Sequence, residues 1–233
     1  MAEIYDTDRF GELYYASREP SRQNLALGAR YLNDLFAFYQ VPFAFLGGWA
    51  VYLRGGQRRT QDVDIAVATT MENLKAILMT QARVCFPQTH GAACAQIFIH
   101  TGGQWDQDFP NSRCLAISAD VIITGNLGTP PDLPNGSEMI RLSPSIPRGS
   151  NPEMPVIDIF YQMTGKLQAY SDRQSTNDYI DLQFLVMNYI NEVSAISPYL
   201  DHDQLVHWFN DYEANNTDRP DFVQFMRDML GFN

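Results

Sequence analysis

The stretch that decides the fold runs from residue 45 to residue 67, FLGGWAVYLRGGQRRTQDVDIAV. Just before and into it, PFAFL (Pro42 to Leu46) is a short apolar run that reads as a strand and stops at Gly47-Gly48. WAVYLRGG then fits a short helix closed by Gly55-Gly56. From Gln61 onward, VDIAVA alternates enough to predict a second strand. Asp62 and Asp64 lie two apart on it, and side chains at i and i+2 of a strand share a face. Two carboxylates on one face make a divalent-metal site. Mg²⁺ prefers oxygen ligands, binds through one or two carboxylates and completes its octahedron with water and substrate phosphates, so this spacing suits phosphoryl or nucleotidyl transfer. Alone, Asp-x-Asp says little in a chain with 27 Asp plus Glu, because most carboxylates are simply solvated.

Three neighbours strengthen it. Gly47-Gly48 ends a strand and opens a helix, where backbone N–H groups and the positive helix end can hold a triphosphate without side-chain obstruction. Thr60 stands two before Asp62 with Arg58 and Arg59 beside it, bringing a hydroxyl and a guanidinium toward the same phosphates. Asp120, inside ISADVII, is a carboxylate among apolar residues, and a buried unpaired carboxylate is costly. If its strand lies beside the one carrying Asp62 and Asp64, it completes a three-carboxylate cluster. Asp106, Asp108 and Asp158 are the alternatives for that third position, Asp158 the weakest because its surroundings read as a helix start.

Outward from this stretch, Ser21 can cap a helix with Leu25, Ala29, Leu32, Leu35 and Phe36 on one face, ending near Gln40. Thr69 and Glu72 read as a capping box for a helix with Leu74, Ile77, Leu78 and Ala82 inward. AQIFIH and CLAISADVIITG predict a hairpin of strands around a polar loop with Trp105, Asp106 and Asp108. Thr129 to Pro155 holds seven of the thirteen prolines and offers only EMIRL as a strand, which predicts a long irregular connection and a domain seam. Beyond it the period becomes 3.6, with four helices marked by Ile157/Phe160/Thr164/Leu167, Leu182/Leu185/Val186/Tyr189, Leu205/Trp208/Phe209/Tyr212 and Pro220/Phe222/Phe225/Met226/Met229. The expected class is α+β: a mixed sheet with flanking helices and an N-terminal helix over residues 1–150, then an all-helical half over 151–233.

Composition sets limits. Sixteen Lys plus Arg against 27 Asp plus Glu give a net charge of −11, which disfavours extended nucleic-acid binding while leaving room for a small phosphate site. Cys85, Cys94 and Cys114 show no CxxC spacing and define neither a disulfide framework nor a zinc site; they read as reduced, mostly buried thiols. His90, His100, His202 and His207 show no ligand spacing and read as surface or packed residues. No apolar leader or membrane-length run occurs, so the expected setting is soluble and cytoplasmic.

Gly47-Gly48, then Arg59-Thr60-x-Asp62-x-Asp64-Ile65, then a strand with Asp120 resembles the DNA polymerase β-type nucleotidyltransferase superfamily, and within it the small stand-alone members, including abortive-infection-type toxins and antibiotic nucleotidyltransferases. The resemblance implies that Gly47 and Gly48 hold the triphosphate, that Asp62 and Asp64 bind two Mg²⁺ (or Mn²⁺) ions, and that Asp120 shares in metal binding and activates the acceptor hydroxyl. It extends to PVIDIFYQMTGKLQAYSDRQSTNDYIDLQFL, where Lys166, with Arg59 and Thr60, would meet the β- and γ-phosphates, and where Asp178 and Asp181 are equally well a match to the helix dipole. Arg173, two turns from Lys166, shares its helix face. The implied reaction moves an NMP from an NTP such as ATP to an acceptor hydroxyl and releases pyrophosphate. The acceptor is expected to be a small molecule or protein first and an RNA end second, the latter through a patch of Arg54, Arg58 and Arg59; an antitoxin-like protein is a possible partner. The competing expectation is a non-catalytic module that keeps the fold and only binds a nucleotide or a partner.

Overall fold

In the computed structural model, which describes residues 1–143, 146 and 153–232, the chain opens with β1 (Glu3–Tyr5), α1 (Thr7–Ala16), α2 (Arg22–Phe38), β2 (Phe43–Leu46), α3 (Gly47–Leu53), β3 (Asp62–Val67) and α4 (Met71–Met79). It continues through β4 (Val84–Pro87), β5 (Cys94–Thr101), β6 (Leu115–Ile123), β7 (Ser137–Arg141) and β8 (Glu153–Ile157). Helices α5 (Ile159–Arg173), α6 (Thr176–Asn188), α7 (Ile190–Ile196), α8 (His202–Asn215) and α9 (Pro220–Leu230) complete it. The chain divides into two units: Met1–Gly55 with Arg59–Ile157, and Gly56–Arg58 with Asp158–Asn233.

The first unit is built on one mixed sheet in the order β1-β4-β5-β6-β3-β2-β8-β7. Strand β3 shows why. Val63, Ile65 and Val67 alternate into the main core with Ile117, Ala119 and Val121 of β6 and Ala95, Ile97 and Ile99 of β5. Helix α2 covers that face with Leu25, Ala29, Leu32 and Phe36, and α4 adds Leu74 and Leu78. Each Val, Leu, Ile or Phe among them contributes about 1.5–3 kcal/mol on burial. A one-residue slip of β3 would exchange these apolar residues for Asp62 and Asp64, so the core holds the register of the carboxylates. The opposite face carries Tyr5, Cys85, Phe98 and Ala116, covered by Leu13 and Phe10 of α1.

The second unit is all helical. Its buried positions, including Met163, Leu167, Leu182, Leu185, Trp208, Phe209 and Met226, recur at the helical period. Asp158, Ser175 and Asp201 cap α5, α6 and α8 by accepting from backbone N–H groups of Tyr161, Asn177 and Gln204.

The mixed sheet, the flanking helices, the β5–β6 hairpin and the helical C-terminal half match expectation. Several details differ. The described part of the proline-rich segment adds β7 and β8 to the sheet, and the first unit runs on through Ile157. Pro155 is compatible with β8 because that strand meets β2 only at Phe45↔Val156 and otherwise pairs with β7. Residues 144–145 and 147–152 of that segment lie outside the described residues. The cap of α4 is Thr70, accepting from the Asn73 N–H, in place of a Thr69/Glu72 box, and Ala82 lies exposed beyond the helix end. In α9 the buried face is Val223, Met226 and Leu230, one residue out of phase with the aromatic residues, and Phe225 is exposed. Among the described residues the C-terminal half has five α-helices, α7 being the additional one. Only Cys85 is buried; Cys94 is half-buried and Cys114 exposed, all three free.

Candidate active site

Strands β3 and β6 run parallel with Asp62 opposite Ser118 and Asp64 opposite Asp120. Residues paired in register share a face, so Asp62, Asp64 and Asp120 gather on the side away from the main core. The third carboxylate is therefore Asp120. Of the alternatives, Asp106 is buried and bound by Arg30, by Arg83 and by the Gly102 N–H, Asp108 is exposed, and Asp158 caps α5.

Gly47 is fixed to its place by two observations. Its φ is +64°, a region that favours glycine, and a Cβ there would lie 1.8 Å from Asp64 Oδ2. Strand β2 delivers it: Leu46 pairs with Asp64 across the antiparallel β2–β3 ladder, and α3 begins at the next residue. Leu46, the N-cap of α3, makes no side-chain capping hydrogen bond. Gly48 follows half-buried inside that turn. Thr60 Oγ1 donates to Asp62 Oδ1 at 3.0 Å, which orients that carboxylate, and Arg59 is exposed beside it.

Electrostatics separate this cluster from an ordinary acidic patch. Burial, followed by the Asp62 carboxylate, pushes the Asp120 carboxyl above its usual range. The Cys94 thiol, across the hairpin, is pushed up to about 11 by burial and then by Asp120 and Asp64. Hard oxygen donors in a field of like charge fit a divalent cation of the Mg²⁺ type. Beside them a cleft of about 420 Å³ is lined by Tyr5, Phe10, Gln88, His90, Cys94 and Gln96, among others, and Gln96 is the register partner of Asp120. No sequence signal pointed to this cleft, because its walls come from β1, α1 and β4–β5, which pair only in three dimensions.

The basic residues behave differently from expectation. Arg54 is buried and donates to Glu138 Oε1 at 2.6 Å and to the Ile157 carbonyl at 2.8 Å, while Arg58 forms a bidentate pair with Asp181 at 2.7 and 2.5 Å. These engagements remove the expected Arg54/Arg58/Arg59 patch. Lys166 is buried in the second unit, its Nζ 3.0 Å from Asp178 Oδ1 and 2.7 Å from Asp181 Oδ2, and Arg173 also clamps Asp178. Asp178 and Asp181 are thus buried ion-pair partners, not a surface match to the helix dipole.

Solved structures share this fold. An antigenic nucleotidyltransferase-like protein from Paracoccidioides brasiliensis aligns over 88% of this chain and 95% of its own, at 15% identity and a TM-score of 0.59. A protein from H. pylori classed as a nucleotidyltransferase aligns over 89% of this chain and 82% of its own, at 14% identity and a TM-score of 0.51. No individually curated protein matches the chain in sequence. No helix among the described residues is long and apolar enough to cross a membrane. The family model of the nucleotidyl transferase AbiEii toxin, type IV toxin–antitoxin system, matches residues 30–233, from α2 through the carboxylate strands and all the C-terminal helices, and the chain belongs to that nucleotidyltransferase family.

Proposed function

We propose that this chain transfers a nucleoside monophosphate from an NTP to an acceptor hydroxyl, with pyrophosphate leaving, at Asp62, Asp64 and Asp120. The observation that carries this reading is the β3–β6 register, which aligns Asp64 with Asp120 while Gly47 abuts Asp64 closely enough to exclude any side chain. Asp62 and Asp64 would hold Mg²⁺ or Mn²⁺ with Asp120, and ions bound there neutralise triphosphate charge and lower the acceptor hydroxyl's pKa. The residues do the rest. Asp120, whose proton affinity burial has raised, takes the proton of the acceptor hydroxyl as its oxygen bonds the α-phosphorus and the bond to the bridging oxygen breaks. Gly47 and Gly48 offer backbone N–H groups to the triphosphate, and Thr60 steadies Asp62 through their hydrogen bond. Arg59 is assigned to the β- and γ-phosphates on the family resemblance; Lys166, held between Asp178 and Asp181, is left out of that role.

The acceptor is a small hydroxylated molecule, with a protein side chain next and an RNA end last. The cleft beside Asp120 lies within the usual size range of small-molecule pockets, roughly 300–1,000 Å³, and the loss of the arginine patch together with the charge of −11 weakens the case for RNA. An antitoxin-like protein is the partner we expect from the family's toxin–antitoxin setting.

The decisive experiment incubates purified protein with each labelled NTP and Mg²⁺, with and without cell extract, and follows pyrophosphate release and label transfer. Label on a small molecule, protein or RNA with wild type but not with Asp62→Ala/Asp64→Ala supports transfer and names the acceptor class. No transfer by either, with nucleotide binding untouched by the double substitution, leaves a binding module in its place. Growth arrest on expression, abolished by Asp64→Ala, tests the toxin role.

A further inference from the structure

We propose that Glu3, Cys85 and His100 form a second metal site, specific for a thiophilic divalent ion of the Zn²⁺ type, that ties β1 to β4 and β5. Among the described residues, this group brings three ligand atoms of carboxylate, thiol and imidazole within 4.8 Å of one another. Cys85 Sγ lies 3.6 Å from Glu3 Oε2 and 3.5 Å from His100 Nε2. Zinc bonds of about 2.3 Å to sulfur and about 2.0–2.1 Å to nitrogen or oxygen, at tetrahedral angles, set the sulfur about 3.6 Å from each of the other two donors. Both sulfur distances are therefore those of the edges of a zinc tetrahedron, the Glu3–His100 edge lies within 4.8 Å, and a fourth corner is left for water or another small ligand.

The sheet explains how the three meet despite their distance in sequence. Glu3 and Cys85 are register partners across the parallel β1–β4 pair. Cys85 pairs with Phe98 across the antiparallel β4–β5 pair, so His100, two residues on, shares its face at the diagonal position. Groups around the three fix them as outer-shell partners fix metal ligands. Arg9 Nε donates to the other Glu3 oxygen at 2.8 Å, leaving Oε2 turned toward Cys85, and the Trp105 ring stacks on His100 at 5.5 Å and 10°. Burial lowers the proton affinity of His100, and burial and Glu3 push the Cys85 thiol up to about 12, so that metal binding would release the thiol proton to solvent.

The site is separate from the active-site carboxylates and independent of the transfer reading. Cys85, Phe98, Ser118 and Asp62 form one row across β4, β5, β6 and β3, which sets Cys85 about 14 Å from Asp62 at ~4.8 Å per strand.

The test titrates chelator-treated full-length protein with Co²⁺ alone and then with Zn²⁺ alone. A thiolate-to-cobalt charge-transfer band that saturates at one ion per chain and is displaced by Zn²⁺ is expected. The band is expected to vanish in Cys85→Ser, to require at least ~10-fold more Co²⁺ in His100→Gln, and to persist in Cys94→Ser/Cys114→Ser and in Asp62→Ala/Asp64→Ala. Absence of the band in wild type, its survival in Cys85→Ser, or its loss in the Cys94/Cys114 variant would overturn the site and leave the cluster an ordinary sulfur hydrogen-bond network. Should Cys85→Ser fail to fold by circular dichroism, the His100→Gln titration decides alone.

Discussion

Two groups of aspartates in this protein meet opposite fates. In the second unit Asp178 and Asp181 are buried and saturated with cations, Asp178 by Lys166 and Arg173, Asp181 by Lys166 and the bidentate Arg58. Burial opposes ionisation of Asp178, but Arg173 and Lys166 override it and hold the carboxyl below its usual range. On the β3–β6 strands the carboxylates meet one another, and Asp120 is pushed the other way by burial and Asp62. One cluster carries its own counter-ions and is a structural element; the other is the one we propose to hold a divalent ion. The same residue type is a clamp in one place and a site in the other, decided by what the chain sets beside it.

The largest effect that breaks this contrast is at Asp64. Asp64→Asn is expected to lower transfer by ~10⁴-fold or more while thermal stability stays level or rises, because a like charge leaves the cluster. A stability loss in step with the activity loss would mark Asp64 as structural. Lys166→Met is expected to do the reverse, destabilising by about 3–5 kcal/mol because two buried carboxylates lose a shared cation. Denaturant titration reads this directly, and a neutral result would show that Arg58 and Arg173 suffice. Gly47→Ala comes next. Its Cβ would meet Asp64 Oδ2 at 1.8 Å on a backbone with φ of +64°, so we expect ~10²-fold lower activity from the displaced carboxylate and about 1–2 kcal/mol of strain. Full activity would mean that the Gly47–Asp64 approach is not used.

The same contrast shows what was legible in the sequence. The active-site strand could be read because its information is local: alternation puts Val63 and Ile65 on one face and Asp62 and Asp64 on the other, and the glycines interrupt the pattern where the chain must turn. Asp120 was legible because a carboxylate in ISADVII has no comfortable place elsewhere. The Lys166–Asp178–Asp181–Arg58 network was not, since it joins α5, α6 and a three-residue stretch far upstream, and no period in a sequence records a salt bridge. The same holds for Glu3, Cys85 and His100, which become neighbours only through strand pairing. Strands β1 and β4, of three and four residues, are too short for alternation to register, and β8 was hidden by Pro155 and the prolines before it. The expected phase of α9 failed because the bulky Phe222 and Phe225 were read as the inward face, whereas packing buries Val223 with Met226 and Leu230.

The smallest effect is a difference in pH dependence, and its sign separates the two clusters. The folded Asp178 carboxyl lies below its ordinary value of 3.8, so its contribution to stability is present above that value and is lost as pH falls through the depressed folded one. Asp120 is raised from 3.8, so its contribution is fully present below that value and is lost as pH rises through the raised folded one. In chelator, so that no added ion masks the repulsion, Asp120→Asn should therefore gain melting temperature relative to wild type as pH rises from the acid side toward neutrality. Asp178→Asn should lose ground over the same direction, because wild type recovers an ion pair that the variant lacks. Adding Mg²⁺ at neutral pH should then close the gap for Asp120→Asn and leave that for Asp178→Asn unchanged. Parallel curves for the two variants would mean that both clusters are internally neutralised, and the distinction between clamp and site would fall.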